Sequence, residues 1–482
     1  MRISNFINIR NFIYRCGSLF LVASLILATP MTASAETVDY QAQALLQKEL
    51  PIQSNKISGW PEGPAITAQS AILMEADTGT ILYAKNIHEE HYPASTTKIM
   101  TCLLAVENAS LDDTITFSHD AVFSVPSDGS SIGMDVGESI TLEQGLYGIM
   151  VGSANEVANA VAEHVSGSID GFIDLMNTRA KELGCTNTHF ANTNGLQDDN
   201  HYTSVYDLAL ISRQFFENEL LCKIGNTPRY HFTPTATQPD DFYLNNKHKL
   251  ITGEISYEGI IGGKTGYTDQ ARETLVTCAE KDGMRLICVV FMEESPAQFT
   301  DTVTLFDYGF NNFHSVNVAD NETRYMPNDS LFFESENDVF GTSGNILRLD
   351  DDSKVILPKT STMEDSSYEI SYDLTDEEKE DYKGAIAKVS YFFSGAAIGN
   401  AYVCYTATSN SQADTSGSSQ IIYINVKHLF LGAIILVILI TLSGFVATHA
   451  HANRKFVSKS DRIRYNRRKK DFKKNKLKKG KR

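Results

Sequence analysis

At 482 residues the chain can hold two folded domains with appendages, and 42% hydrophobic with 21% charged residues is ordinary globular composition. The formal net charge of −17 averages three regions: +3 over 1–35, −34 over 36–428 and +14 over 449–482. So acidic a body excludes nucleic-acid binding by phosphate neutralisation, and the scattered cysteines, with no CxxC and no histidine pairing at ligand spacing, imply no metal site.

Residues 1–35 read as a secretory signal. Basic residues precede the apolar run Leu19–Ala28, and Ala33-Ser34-Ala35 supplies a small-x-small site with cleavage expected after Ala35. The alternative, an uncleaved anchor, is disfavoured because the run is short for a bilayer span. Cys16 leaves with the signal. Of the other six, Cys102, Cys185, Cys222, Cys278, Cys288 and Cys404, most read as buried free thiols, although export permits disulfides and Cys278 and Cys288 fall in adjacent predicted strands.

After a featureless leader over 36–66, Ser70–Met74 and Thr80–Tyr83 flank Asp77-Thr78-Gly79 and predict a hairpin. A helix opens near Ser95 and carries Ile99, Met100, Leu103 and Leu104. More helical text fills Leu142–Val165, broken around Gly152-Ser153, then Phe172–Leu183 up to Gly184, and Val205–Phe216. Thr274–Ala279 and Leu286–Met292 form a second hairpin through Lys281-Asp282-Gly283, and Thr302–Tyr308 is helical again. Helices between an early and a late hairpin imply an α+β fold, an antiparallel sheet with helices packed on it, over 36–317. Short strand-like runs between acidic turns imply a small all-β domain over 318–407, followed by a flexible linker over 408–428.

Residues 429–448 carry no charge and match the thickness of a bilayer core; a basic tail over 449–482 follows. The expected topology is a single transmembrane helix, the body of the chain on the extracellular face, and the tail in the cytoplasm against anionic lipid.

Three short motifs carry the chemistry. Ser95-Thr96-Thr97-Lys98 places an amine one turn from a hydroxyl, roughly 5–6 Å between Cβ atoms on a helix. A serine is a poor nucleophile until a base takes its proton, and a lysine can do so once burial or a neighbouring cation such as Lys264 lowers its pKa. Ser153-Ala154-Asn155 lies at the helix break, where Ser153 could relay protons and Asn155 hold a substrate amide; an N-cap is the plain alternative. Lys264-Thr265-Gly266 precedes a β-rich run and, on an edge strand, would present a cation and a hydroxyl to a carboxylate, with Gly266 admitting substrate close to the backbone. Singly, each motif is weak. Their order, at separations of 58 and 111 residues, behind a signal peptide, points to acyl transfer through a serine ester.

In YPASTTKIMT, GESITLEQGLYGIMVGSANEVANAVAEHV, FANTNGLQDDNHYTSVYDLALIS and GIIGGKTGYTDQARETLVTCAEKDGMRLICVVF the chain resembles the D-alanyl-D-alanine carboxypeptidases, the low-molecular-weight penicillin-binding proteins with a β-lactamase/transpeptidase-like fold. The resemblance is strong over about 65–315 and weaker beyond. It implies that Ser95 attacks the bond between two terminal D-alanines of a peptidoglycan stem peptide, with Lys98 taking its proton and Ser153 relaying it. Asn155, Lys264, Thr265, Gly266 and Tyr267 would bind substrate, the backbone N–H groups of Ser95 and Tyr267 would form the oxyanion hole, and β-lactams would acylate Ser95. No cofactor is implied. Two positions depart from the family pattern: Arg272 replaces a common glycine, and Gln298 stands where many members have a basic residue. The second departure puts more of the substrate carboxylate on Lys264, with Arg272 as a candidate to compensate.

Three other readings differ in class. A class A β-lactamase needs a deacylating Glu-x-x-x-Asn, and 156–200 contain none. A catalytically silent surface module would not keep the full inventory of catalytic groups. A DD-endopeptidase or transpeptidase acting on cross-linked peptidoglycan uses the same acyl-enzyme.

Overall fold

The computed structural model describes residues 39–324, 347–405, 464 and 466–470. The chain divides into units over 1–408 and 409–482. In the second, only residues 464 and 466–470 are described, as helix. The expected signal peptide, the linker beyond residue 408 and the apolar run 429–448 lie outside the described residues. Among the described residues no helix is long and apolar enough to cross a membrane.

The first unit opens with helix α1 (Tyr40–Gln47) and the hairpin of β1 (Ser70–Glu75) and β2 (Ile81–Lys85). A helical layer follows: α2 (Lys98–Asn108), α3 (Leu142–Met150), α4 (Asn155–Ser166), α5 (Ile169–Glu182), α6 (Val205–Glu217) and the short α7 (Lys249–Thr252). The chain then returns to the sheet through β3 (Ile260–Thr268), β4 (Arg272–Lys281) and β5 (Met284–Glu293), and ends this half with α8 (Ala297–Asn312). The five strands are antiparallel in the order β2-β1-β5-β4-β3, so β3 is an edge strand. This is the α+β architecture the sequence predicts. The first and last hairpins interleave because β1 pairs with β5 along its whole length, from Ser70↔Phe291 to Glu75↔Leu286.

Continuous apolar text in β5 follows from helices on both faces. One face, with Leu73, Leu286, Cys288 and Val290, packs on Phe299, Leu305 and Phe306 of α8. The other meets α6. Cys288 pairs with Thr277, whereas Cys278 pairs with Ile287, so the two thiols point to opposite faces. All six cysteines of the described residues are free.

Local signals set the helix ends. Thr141 and Gln144 form a capping box at α3, Gly167 closes α4 at φ 76°, and the Ser168 side chain caps α5. Two ribbons, Thr114–Thr116 with Ser139–Thr141 and Arg229–Phe232 with Phe242–Asn245, escape sequence pattern because each strand has only three or four residues.

The second sheet takes β6 (Phe313–Asn317), β7 (Leu347–Leu349), β8 (Lys354–Pro358), β9 (Ser367–Ser371), β10 (Ala385–Phe393) and β11 (Ala396–Tyr405). Its order is β6-β8-β11-β10-β9, with β7 also pairing β11. The first of these strands starts ahead of residue 318. Trp60 joins the sheets: its ring lies 4.9 Å from Phe313 and 5.9 Å from Phe393, and its Nε1 donates to the Leu82 carbonyl at 2.9 Å.

Candidate active site

Ser95 does not lie within a regular α-helix. Residues Ala94–Thr97 form a 3-10 turn, and α2 begins at Lys98. The turn is entered through Ala94 at φ 49°, a left-handed conformation that an L side chain resists. Surrounding bonds hold it there. Thr97 Oγ1 donates to the Ala94 carbonyl at 2.9 Å, and Thr274 Oγ1 of β4 donates to the Pro93 carbonyl at 2.9 Å. His201 backs the turn, with Nδ1 accepting from the Ala191 N–H at 2.9 Å and Nε2 2.7 Å from Thr97 Oγ1. Burial keeps this imidazole neutral, lowering its pKa to about 3.

The result aims Lys98 at Ser95. The Lys98 side-chain nitrogen lies 3.0 Å from Ser95 Oγ, 2.7 Å from Asn155 Oδ1 and 2.6 Å from the Asn194 carbonyl oxygen. Lys98 is fully buried, and burial, reinforced by the charge of Lys264, holds its pKa well below the ordinary lysine value. A neutral amine has two N–H donors and one lone pair. The two carbonyl oxygens take the donors, which leaves the lone pair for the Ser95 hydroxyl proton.

The second motif closes the site from the helical layer. Ser153 occupies the break between α3 and α4 at φ 57°, again strained. It is not an N-cap: Ala154 holds that position, and Glu156 Oε1 instead accepts from Ser131 Oγ and from the Ile132 and Gly133 N–H groups at 2.7–3.0 Å. Ser153 Oγ receives a hydrogen bond from Lys264 Nζ at 3.1 Å, while Lys264 also donates to the Thr265 carbonyl at 2.8 Å. Burial, then the nearby Lys247, lowers the Lys264 pKa. All three motifs therefore converge, across the separations seen in sequence.

Gly266 earns its place sterically. A Cβ there would stand 2.8 Å from the Ser95 nitrogen and 2.4 Å from Thr274 Oγ1, so edge strand β3 can run directly beside the nucleophile. Thr265 is half-buried next to it, and Tyr267 is 50% exposed at the lip, its hydroxyl 3.1 Å from both Asp269 and Arg272. Arg272 does not compensate for the missing cation. It binds Glu294 through two bonds of 2.7 and 2.8 Å and stacks on Tyr40, so its charge is already matched. Gln298 is buried and carries no charge to replace it.

Sequence reasoning missed the loop 190–201 as part of the site. Its Thr193 and Asn194 side chains bond Asn159 on α4 at 2.6 and 3.2 Å, which fixes the Asn194 carbonyl against Lys98. Gly195, at φ 84°, passes so close that a Cβ would lie 1.7 Å from the Ala94 carbonyl oxygen. The adjacent Asn-Gly pair was the available signal. Gly195→Ala is expected to cost roughly 1–3 kcal/mol in backbone strain and to slow acylation at least about tenfold, because relief requires moving Ala94 and Ser95. Chemical denaturation and adduct formation measured on the same variant check both parts.

Among the described residues no group of His, Cys, Asp and Glu is arranged to hold a metal ion. The arrangement sets a serine hydroxyl, a buried amine, a second hydroxyl and a further lysine beside an open strand edge, a set of groups suited to acyl transfer through serine.

Comparison with known proteins gives a consistent result. The family model described as D-alanyl-D-alanine carboxypeptidase, Peptidase_S11, matches residues 58–295. The chain is 37% identical over 254 residues to D-alanyl-D-alanine carboxypeptidase DacF of Bacillus subtilis, covering 52% of this chain and 63% of that protein. It is 32% identical over 260 residues to D-alanyl-D-alanine carboxypeptidase DacB2 of Mycobacterium tuberculosis, covering 52% of this chain and 84% of the relative. Among solved structures, penicillin binding protein 5 of Haemophilus influenzae superposes with a TM-score of 0.56 at 26% identity, over 72% of this chain and 98% of that one.

Proposed function

The chain belongs to the D-alanyl-D-alanine carboxypeptidase family, and from that premise we propose that it removes the terminal D-alanine from peptidoglycan stem peptides through an ester on Ser95. The observation that carries this reading is the fully buried Lys98, its pKa held well below the ordinary lysine value, poised 3.0 Å from the Ser95 hydroxyl.

The reaction follows from the groups in place. Ser95 Oγ bonds to the carbonyl carbon while its proton passes to Lys98 Nζ. The backbone N–H groups of Ser95 and Tyr267 stabilise the oxyanion. The C–N bond then breaks, and the departing amine receives the proton from Lys98 through Ser153 Oγ. Water, deprotonated by Lys98, attacks the ester carbonyl and restores Ser95. Lys264, held by Ser153 and the Thr265 carbonyl, supplies positive charge near the substrate terminus. β-Lactams present an amide of the same kind and acylate the same oxygen.

The location is part of the proposal. A cleaved signal peptide, an uncharged run over 429–448 and a basic tail support a single-pass membrane protein whose catalytic unit faces outward.

Intact mass after β-lactam treatment, with the adduct mapped to a residue, tests the nucleophile. Incubation with a pentapeptide ending in D-Ala-D-Ala tests the reaction, and a failure to release free D-alanine overturns the carboxypeptidase assignment. Cross-linked dimers in a parallel incubation separate endopeptidase activity by its products.

The pH dependence has a defined sign. Lys98 acts as the neutral amine, so kcat/KM falls as pH drops through its pKa. Lys264 acts as the cation, so kcat/KM falls again as pH rises through its own. Both limbs are expected on the acid side of 10.5, the ordinary lysine value, and as macroscopic constants of a coupled pair. Lys264→Arg is expected to remove the alkaline limb and keep the acid one, measured as kcat/KM against pH.

A further inference from the structure

A substrate that ends in a free carboxylate needs a cation beside the KTG strand. Most cations bordering that strand are already committed. Lys98 is buried among Ser95, Asn155 and Asn194, and Lys264 donates to Ser153 and to the Thr265 carbonyl. Arg272 is held by Glu294. Lys247 bonds Ser130 Oγ at 3.3 Å, on the helical side of the cleft.

Lys249 is different. It follows His248, which is fully buried, lies 2.8 Å through Nε2 from Thr277 Oγ1, and backs β3 so closely that a Cβ on Gly263 would stand 2.7 Å from that nitrogen. Gly263, Thr265 and Tyr267 share one face of β3 by strand alternation. Their partners on β4 are Thr277, Leu275 and Glu273. His248 thus fixes the root of Lys249 at the level of Gly263.

The Lys249 ammonium lies 5.9 Å from the ring centroid of Phe299, and its charge reaches Glu273, opposite Tyr267. Thr265 falls between those two levels. Lys249 is half-buried and, among the described residues, sits over an aromatic ring rather than in an ion pair with a carboxylate. Beside Phe299, the buried Gln298 keeps a side-chain oxygen without a partner. The neighbouring carboxyl, Glu273, is half-buried and its pKa is raised, by burial first and then by Glu294.

Building on the proposed DD-peptidase reading, we infer that Lys249 is the specificity residue that holds the terminal carboxylate of the substrate, and the equivalent carboxylate of β-lactams, against Thr265. In this chain that cation comes from the first residue of α7, directly after His248, instead of from the start of α8.

The test uses the full-length protein and two probes, benzylpenicillin and its carboxyl methyl ester, with acylation rates followed by intact mass. Lys249→Met is expected to slow acylation by the acid about tenfold and leave the ester unchanged, with Lys249→Arg restoring most of the loss. Equal changes with both probes, or none, overturn the assignment. It is also overturned if Lys247→Met, instead of Lys249→Met, abolishes the preference for the acid. A parent protein that forms no adduct with either probe overturns the acyl-enzyme reading itself. An unchanged melting temperature in each variant excludes a folding defect as the source of slower acylation.

Discussion

Ser95→Ala is expected to yield no covalent β-lactam adduct and to lower peptide hydrolysis by about five to six orders of magnitude, the loss typical when a nucleophile is removed from a unit of interdependent groups. The fold should remain. Ser95 is half-buried in a turn held by Thr97, Thr274 and His201, and none of those bonds uses its hydroxyl. Stability is therefore expected within about 0.5 kcal/mol of the parent. Intact mass and thermal unfolding on the same preparation check both halves. An adduct persisting at another residue would move the nucleophile elsewhere.

Lys98→Met is expected to keep reversible β-lactam binding and to slow acylation by about three to four orders of magnitude, the upper range for a positioned general base. Here a structural cost accompanies the chemical one. The Asn155 amide oxygen and the Asn194 carbonyl both lose the donor they share, and each unsatisfied buried acceptor costs about 1–3 kcal/mol. Removing a buried amine offsets part of that. Time-resolved mass spectrometry separates loss of binding from loss of chemistry. Acylation at the parent rate would show that a different group takes the proton.

Much of this site was legible because its groups are of unusual type for their surroundings. A lysine one turn after a serine, a polar triplet at a helix break, and Lys-Thr-Gly ahead of a strand each stand out against apolar text. An edge strand was the condition under which Lys264 and Thr265 could face a carboxylate, and β3 meets it by ending the strand order. What sequence could not supply was anything delivered by backbone. The Asn194 carbonyl carries no side-chain signature, and the left-handed Ala94 and Ser153 sit at positions where a pattern reader expects glycine. The Arg272 expectation failed for a related reason. Glu294, its partner, is 22 residues away in sequence and becomes adjacent only when β4 and β5 pair. The short ribbons were lost because three or four residues are too few for a period to register.

The joint at Trp60 gives the molecule a built-in optical reporter. The chain contains a single tryptophan, 8% exposed, wedged between Phe313 and Phe393 of one sheet and hydrogen-bonded to Leu82 of the other. Intrinsic emission will shift to the red when the two halves part, whatever happens at the serine. Comparing that transition with loss of β-lactam labelling during denaturation would tell whether the catalytic half and the β-rich half melt as one cooperative body or come undone in turn.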